Sequence, residues 1–289
     1  MHAINTKVLM SGAEYFSDQD AINAHMGGTT HVDLEKAIAE HAAIQRAFEE
    51  AGIEVIKVEA PAGCQDGVYT ANWALIHGKK ALMANLPNTR QSEEPYAEQV
   101  LRDMDYEIVK FPREFRFSGQ GDALPCGKYL FTGTTYRTSP EMHPLLAHET
   151  GLHIINVQTV PQLDENGKAV INAVTGWPDS FFYDLDLAIA VIRPNLIAWC
   201  PDAFTPESRA RIETLSDIEK IEVNYEEAVK ASACNLVSTG ETVVMSSRAP
   251  KLKAALEQQG LHVTTVDITE LMKGGGFIRC TSLTLSNNN

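Results

Sequence analysis

The chain has 289 residues, 38 of them acidic against 24 basic, for a formal net charge of −14. That balance argues against nucleic acid or an anionic membrane as partner, since both select a basic face, and it is compatible with a cationic small molecule. With 44% hydrophobic and 21% charged residues the composition is that of a globular protein, and the length admits one large domain or two smaller ones.

Taken in chain order, the elements repeat. A β-rich run at 7–10 precedes a helix expected over 33–51, whose Leu34, Ile38, His41, Ile44 and Phe48 form one stripe. Gly52 stops that helix and a β-rich run follows at 53–56. The same succession returns with a strand at 80–83, a helix over 93–104 and a strand at 106–109. It returns again at 128–131, 140–149 and 152–155, where Ser139 before Pro140 reads as a helix cap. A fourth copy runs through 195–198, 205–215 and 218–223, with Thr205 before Pro206. The fifth runs through 242–245, 250–259 and 261–264. A further strand starts most units, so the unit is strand, strand, helix, strand, five times over. The last initiating strand, expected from Cys280 to Leu285, has no helix after it. The first helix has only the 7–10 strand before it. Pairing those two ends would complete the fifth unit and leave no open sheet edge, which favours one domain over 1–289.

The unusual polar residues lie in the segments that start the units. These are Gln65-Asp66-Gly67-Val68-Tyr69-Thr70-Ala71-Asn72-Trp73, then Phe117-Ser118-Gly119-Gln120-Gly121-Asp122-Ala123-Leu124, then Phe182-Tyr183-Asp184-Leu185-Asp186-Leu187. The last is Gly274-Gly275-Gly276-Phe277-Ile278-Arg279-Cys280. Buried acids at such points need a partner or a cationic ligand. A cysteine beside a cation and partly open to solvent can be held as the nucleophilic thiolate, so Cys280 next to Arg279 is a candidate; a buried, inert thiol is the other reading. The three glycines let backbone approach a ligand closely, but no Lys-Ser/Thr pair follows them, so they do not form a nucleotide loop. His31, His41, His143 and His148 lack metal-ligand spacing. The five cysteines include no C-x-x-C pair, which points to reduced thiols in the cytoplasm. No secretory leader or bilayer-spanning run is expected, and Asn287-Asn288-Asn289 reads as a frayed tail. The 161–180 loop is long for a compact domain; Trp177 near its end is placed to pack over a site mouth, or the loop to meet a second subunit.

With Tyr15-Phe16, Ala21-Ile22-Asn23-Ala24-His25-Met26, Val32-Asp33-Leu34-Glu35-Lys36-Ala37 and Tyr136-Arg137-Thr138-Ser139, these segments resemble, in order and over about 7–285, the guanidine-modifying pentein superfamily. Its members are dimethylarginine dimethylaminohydrolases, arginine deiminases and dihydrolases, and amidinotransferases. The resemblance implies a five-bladed α/β propeller closed by its terminal strands. It implies a Cys nucleophile that forms a covalent thiouronium adduct on a guanidino or ureido compound, with no metal or organic cofactor. By position Cys280 matches the nucleophile, and Asp66 and Asp122 the acidic motif positions. Asn23, Asn72 and Arg137 fall where relatives hold polar groups of the substrate, and Asp186 is a further acidic candidate. Two positions depart from the pattern. Ser118 stands in the place of the usual Glu and Asp184 in the place of the usual proton-transferring His, and these two with Cys280 form the candidate catalytic set. An ionised Asp184 would raise the Cys280 pKa; buried and protonated, it would serve as the acid. His25 and His153 are the histidines available for recruitment. The expected partner is a cationic guanidino or ureido compound, and a homo-oligomer is compatible with the sequence. The competing reading is a binding or interaction protein that keeps the fold and a cationic ligand without turnover.

Overall fold

The computed structural model describes residues 3–26, 28 and 30–286; the terminal Asn287-Asn288-Asn289 run lies outside the described residues. The first unit holds β1 (Lys7–Met10), α1 (Leu34–Glu50) and β2 (Glu54–Lys57). The second holds β3 (Ala74–His77), β4 (Lys80–Met83), α2 (Glu94–Asp103) and β5 (Glu107–Val109). The third holds β6 (Ala123–Cys126), β7 (Tyr129–Gly133), α3 (Met142–Thr150) and β8 (His153–Val157). The fourth holds β9 (Ile189–Arg193), β10 (Leu196–Trp199), α4 (Pro206–Glu213) and β11 (Glu219–Glu222). A short α5 (Tyr225–Ala231) then leads to β12 (Val237–Ser238), β13 (Thr242–Ser246), α6 (Pro250–Gln258) and β14 (His262–Val266). β15 (Leu283–Ser286) is last.

The strands form five three-stranded sheets of one design. In four of them, the first strand pairs antiparallel with the second through a short turn, and the second pairs parallel with the third across a helix. This mixture follows from connection length, because a tight hairpin allows only antiparallel pairing and a helical crossover delivers a parallel strand. The sheet containing β1 draws its first strand from the other end of the chain: Leu9 faces Leu283 and Val8 faces Thr284 antiparallel, while β2 pairs parallel with β1.

Apolar side chains on both faces of the second strands join each sheet to its neighbours. Leu9, Leu283 and Leu285 pack with Trp73, Ile76 and Ala81, and Leu75 and Leu82 pack with Leu130 and Ala123. Phe131 and Leu124 share a cluster with Ile197, Trp199, Val243 and Met245. Val244 and Val237 meet Val8 and Met10, together with Ile44 and Phe48 of α1.

Local chemistry sets the helix ends. The Asp33 carboxylate accepts from the Lys36 N–H at 3.1 Å to cap α1, and the Thr205 hydroxyl caps α4. Gly52, Gly151 and Gly260 follow α1, α3 and α6 at positive φ. Three expectations shift. α3 starts at Met142, because the Ser139 hydroxyl accepts from the Arg116 N–H and does not cap the helix. α5 has too few apolar positions for a periodic signal. Cys280 precedes its strand and sits in a turn where the Thr281 N–H bonds the Phe277 carbonyl and the Ser282 N–H bonds the Arg279 carbonyl.

Candidate functional site

Each first strand is entered through a tight turn, and these turns converge. Single 3₁₀ turns span Thr70–Asn72, Gly119–Gly121 and Leu185–Leu187 ahead of β3, β6 and β9. The Ala71 N–H bonds the Cys280 carbonyl, and the Leu185 N–H bonds Asp122 Oδ1 at 3.0 Å. A fourth turn, carrying Asn235 ahead of β12, bonds the fifth: Asn235 Oδ1 accepts the backbone N–H of Arg279 at 2.9 Å and of Cys280 at 3.2 Å. The close meeting of three turns requires Gly121, where a Cβ would lie 2.4 Å from Asn72 Nδ2 and 2.7 Å from Asp184 Oδ2. Gly275, at φ +86, makes room for Asn23, whose amide donates to the Gly274 carbonyl.

The nine candidate residues fall into two shells. Asn23, Asp66, Ser118, Arg137 and Asp184 line a narrow, nearly closed cleft, with Tyr69, Arg90 and Tyr183. Asn72, Asp122, Asp186 and Cys280 lie against this group but do not line the cleft, and each is at most 3% exposed. Cys280 is therefore buried, against the expectation of a partly open thiol. Arg279 does not hold it as a thiolate either: its guanidinium turns to Gln120 Oε1, Thr284 Oγ1 and the Ser282 carbonyl. Burial first, then the Asp186 charge, push the Cys280 thiol well above its ordinary value.

One amide ties the two departing positions together. Asn72 Nδ2 donates to Asp184 Oδ2 at 2.8 Å and to Ser118 Oγ at 2.9 Å, while its Oδ1 accepts from Arg90 Nη1 at 2.8 Å. Arg90 grips Glu93 with two bonds of 2.8 Å and also bonds the Asp66 and Tyr69 carbonyls. Neither Arg90 nor Glu93 was among the sequence candidates. Their i, i+3 pairing before α2 is the only local sign of them. Asn235 was missed as well, because the fourth turn, Ser232-Ala233-Cys234-Asn235-Leu236, lacks an acidic residue, although its Asn precedes apolar residues as Asn72 does.

Charge in the site is unbalanced. Asp66, Asp122, Asp184 and Asp186 each keep one carboxyl oxygen that is buried and without a hydrogen bond among the described residues. Burial raises all four carboxyls above their ordinary range, Asp66 to about 7 despite the opposing charge of Arg90. For Asp122 and Asp186 the next cause is the charge on Asp184. Asp184 is itself pulled back, first by Arg137 and then by Ser118 and Asn72. Arg137 is stacked between Trp177, 5.7 Å from the ring, and Tyr183, at 4.8 Å, and bonds the Ile22 carbonyl. The 161–180 loop thus does reach the site through Trp177, which also covers Arg116. His25 lies against Phe181, 4.0 Å between ring centres, and burial lowers its pKa to about 4, so it is neutral near neutral pH. His153 is exposed on β8 beside Tyr129, remote from these groups. No helix among the described residues is long and apolar enough to cross a membrane.

Residues 10–286 match the family model described as N,N dimethylarginine dimethylhydrolase, eukaryotic. The chain belongs to this dimethylarginine dimethylhydrolase family. It is 26% identical over 285 residues to the bifunctional arginine dihydrolase/ornithine cyclodeaminase ArgZ of Synechocystis sp., covering 97% of this chain and 38% of ArgZ. It is 29% identical over 276 residues to the N(G),N(G)-dimethylarginine dimethylaminohydrolase of Mycobacterium tuberculosis, covering 95% of this chain and 84% of that protein. Among solved structures, the product-bound N-terminal domain of ArgZ from cyanobacteria superposes with a TM-score of 0.86 at 25% identity, over 97% of both chains. The fold of this chain, with its five three-stranded sheets, is therefore shared with that domain over 97% of the chain.

Proposed function

We propose that this dimethylarginine dimethylhydrolase-family chain hydrolyses a C–N bond of an arginine-like guanidino or ureido compound through a covalent adduct on Cys280. The observation that carries this reading is the set of four buried carboxyls with spare oxygens around one buried thiol. A guanidinium donates up to five N–H bonds in a plane, and it would supply both the donors and the positive charge that the set lacks. Asp66 and Asp184 in the cleft, with Asp122 and Asp186 behind them, then hold the cation. Asn23 and Arg137, which line the cleft, meet the remainder of the substrate, with Asn72 behind them. Ser118 and Asp184 act through Asn72, which they orient. In the first step the Cys280 sulfur bonds the guanidinium carbon and an amine leaves. In the second, water releases a ureido product and restores the thiol.

The chain spans about two fifths of ArgZ and almost all of its N-terminal domain, so only the guanidine chemistry in that protein's description is carried over. For the fold, the pairing of β1 with β15 and the four apolar clusters linking neighbouring sheets support a closed five-bladed propeller that is one domain over 1–289. The five free cysteines support a cytoplasmic setting.

The test is mass spectrometry and product assay across a panel of guanidino and ureido compounds. The native protein is expected to form an adduct on Cys280 and release product; Cys280→Ala is expected to do neither. The double variant Ser118→Glu, Asp184→His adds a carboxylate and a group that titrates near neutral pH, and should change turnover by about 10²-fold or more. If only the double variant turns over while the native protein merely binds the panel, the binding-protein reading replaces this one.

A further inference from the structure

Two side chains touch the Cys280 sulfur. Asn235 Nδ2 donates to it at 3.2 Å, and the thiol donates to Asp186 Oδ2 at 3.4 Å. Asp184, in the place of the proton-transferring histidine, spends Oδ2 on Asn72 and makes no bond to the thiol. Asp186 and Asn235 are each 1% exposed, and Asp186 Oδ1 has no hydrogen bond among the described residues. Asn235 Oδ1 also accepts the N–H groups of Arg279 and Cys280, so one amide holds both the turn and the sulfur it carries.

We propose that Asp186 takes the proton of Cys280 and returns it to the leaving nitrogen, with Asn235 holding the thiol in line. This rests on the guanidine-hydrolase reading above. The proton moves from Sγ to the Asp186 carboxylate as the sulfur lone pair bonds the guanidinium carbon. The π pair of the attacked C=N bond moves onto nitrogen, then re-forms as the C–N bond to the leaving group breaks. The leaving nitrogen keeps that bond's electrons and takes the Asp186 proton. Thiol plus guanidinium become thiouronium plus neutral amine, with charge conserved.

The groups facing this pair agree with the assignment. Burial first, then the Asp184 charge, raise the proton affinity of Asp186, while Arg279 opposes them. A carboxylate of ordinary pKa would be too weak a base for a thiol; the raised proton affinity of Asp186 meets that need once the charge of a bound guanidinium beside it leaves the carboxyl ionised. The Asp184 charge acts on the sulfur as well, and the Tyr69 and Tyr183 phenols, which line the cleft, donate to the Leu271 and Gly275 carbonyls. Cys234 faces Asp186 from the turn before β12.

The test titrates Cys280 by its thiolate ultraviolet absorbance and by its alkylation with neutral chloroacetamide and cationic 2-chloroacetamidine. A shared proton makes the native thiol titrate in two linked steps. In Asp186→Asn a single step at lower pH is expected, because a neighbouring negative charge is gone. Chloroacetamide should then react faster at neutral pH while amine release from the guanidino panel falls about 10²-fold or more. Asp184→Asn should keep both steps. Asn235→Ala should slow both reagents and move both steps to higher pH, because the sulfur loses the amide that aims it and donates to it. Should Asp186→Asn not fold, Asp186→Ser with added formate as external base serves in its place. An unchanged titration in the Asp186 variant, or loss of the linked step in Asp184→Asn instead, overturns the proposal. Equal native rates with the two reagents and no adduct from the panel overturn the hydrolase reading, and the proton return with it. The titration then still decides whether Asp186 takes the thiol proton.

Discussion

Asp66, proposed above to hold the cation, would cost stability whenever no cation is bound. Its carboxyl is buried, one oxygen has no hydrogen bond, and its pKa is raised to about 7 from an unfolded value near 3.8. A raised acid favours the folded state at low pH. That contribution is complete below the unfolded pKa and lost as pH rises through about 7. At about 1.4 kcal/mol per pKa unit, the loss is on the order of 4–5 kcal/mol between acid and mildly alkaline pH. Asp66→Asn keeps the shape and removes the titration. We expect it to stabilise the ligand-free protein at pH above 7 while weakening cation binding by about 10-fold or more. Urea unfolding of both proteins on either side of neutrality checks this; equal pH dependence in the two would refute it. The same logic makes guanidinium binding tighter with rising pH over that window, since the bound cation favours ionised carboxylates.

The turn that carries Cys280 depends on a helix far from it in sequence. Glu40 of α1 is only 6% exposed, and its carboxylate accepts the N–H groups of Thr269, Glu270 and Leu271 at 2.8 to 3.1 Å, together with the Thr269 hydroxyl at 2.7 Å. It thereby caps the 3₁₀ segment Leu271–Gly274 that opens into the glycine run. Charge-assisted bonds to buried N–H groups are individually worth about 1.5–3 kcal/mol, and leaving those donors bare adds to the loss. Glu40→Ala is expected to destabilise the protein by about 2–4 kcal/mol. It should also raise hydrogen exchange across 269–282 more than across α1 itself. Uniform exchange changes in both regions would argue against a local anchoring role.

The pairing of β1 with β15 is a property of the whole chain. β1 lies between β15 and β2, so its sheet needs both ends of the chain, whereas the other four sheets form within contiguous stretches. Contacts of such separation carry a large loop-closure cost and are expected to form late. Replacing Leu283 and Leu285, which are 0% and 5% exposed, by Ser removes two apolar side chains between two sheets. The expected result is a loss of about 4 kcal/mol or more, with one cooperative transition reported alike by circular dichroism and by Trp73 and Trp199 fluorescence. Separate transitions for the two probes would refute a single cooperative domain.

Much of this was legible in the chain itself. Helical periodicity, caps and glycine stops marked five of the six helices, because those signals are local and backbone-encoded. The recurrence of strand, strand, helix, strand and the unmatched strands at the two ends pointed to the β1–β15 pairing, because a strand count is a property of order alone. Tertiary structure alone decided how the turns meet. That Asn72 joins Ser118 to Asp184, and that Arg90 and Glu93 support Asn72, depend on side chains from separate segments approaching within hydrogen-bond distance. Burial likewise reversed the expectation for Cys280. Sequence placed Arg279 beside it, but the turn sends that guanidinium to Gln120 and Thr284 and leaves the sulfur between Asn235 and Asp186. Adjacency in the chain does not set the direction of a side chain in a turn, and proton affinity follows the field at the folded position.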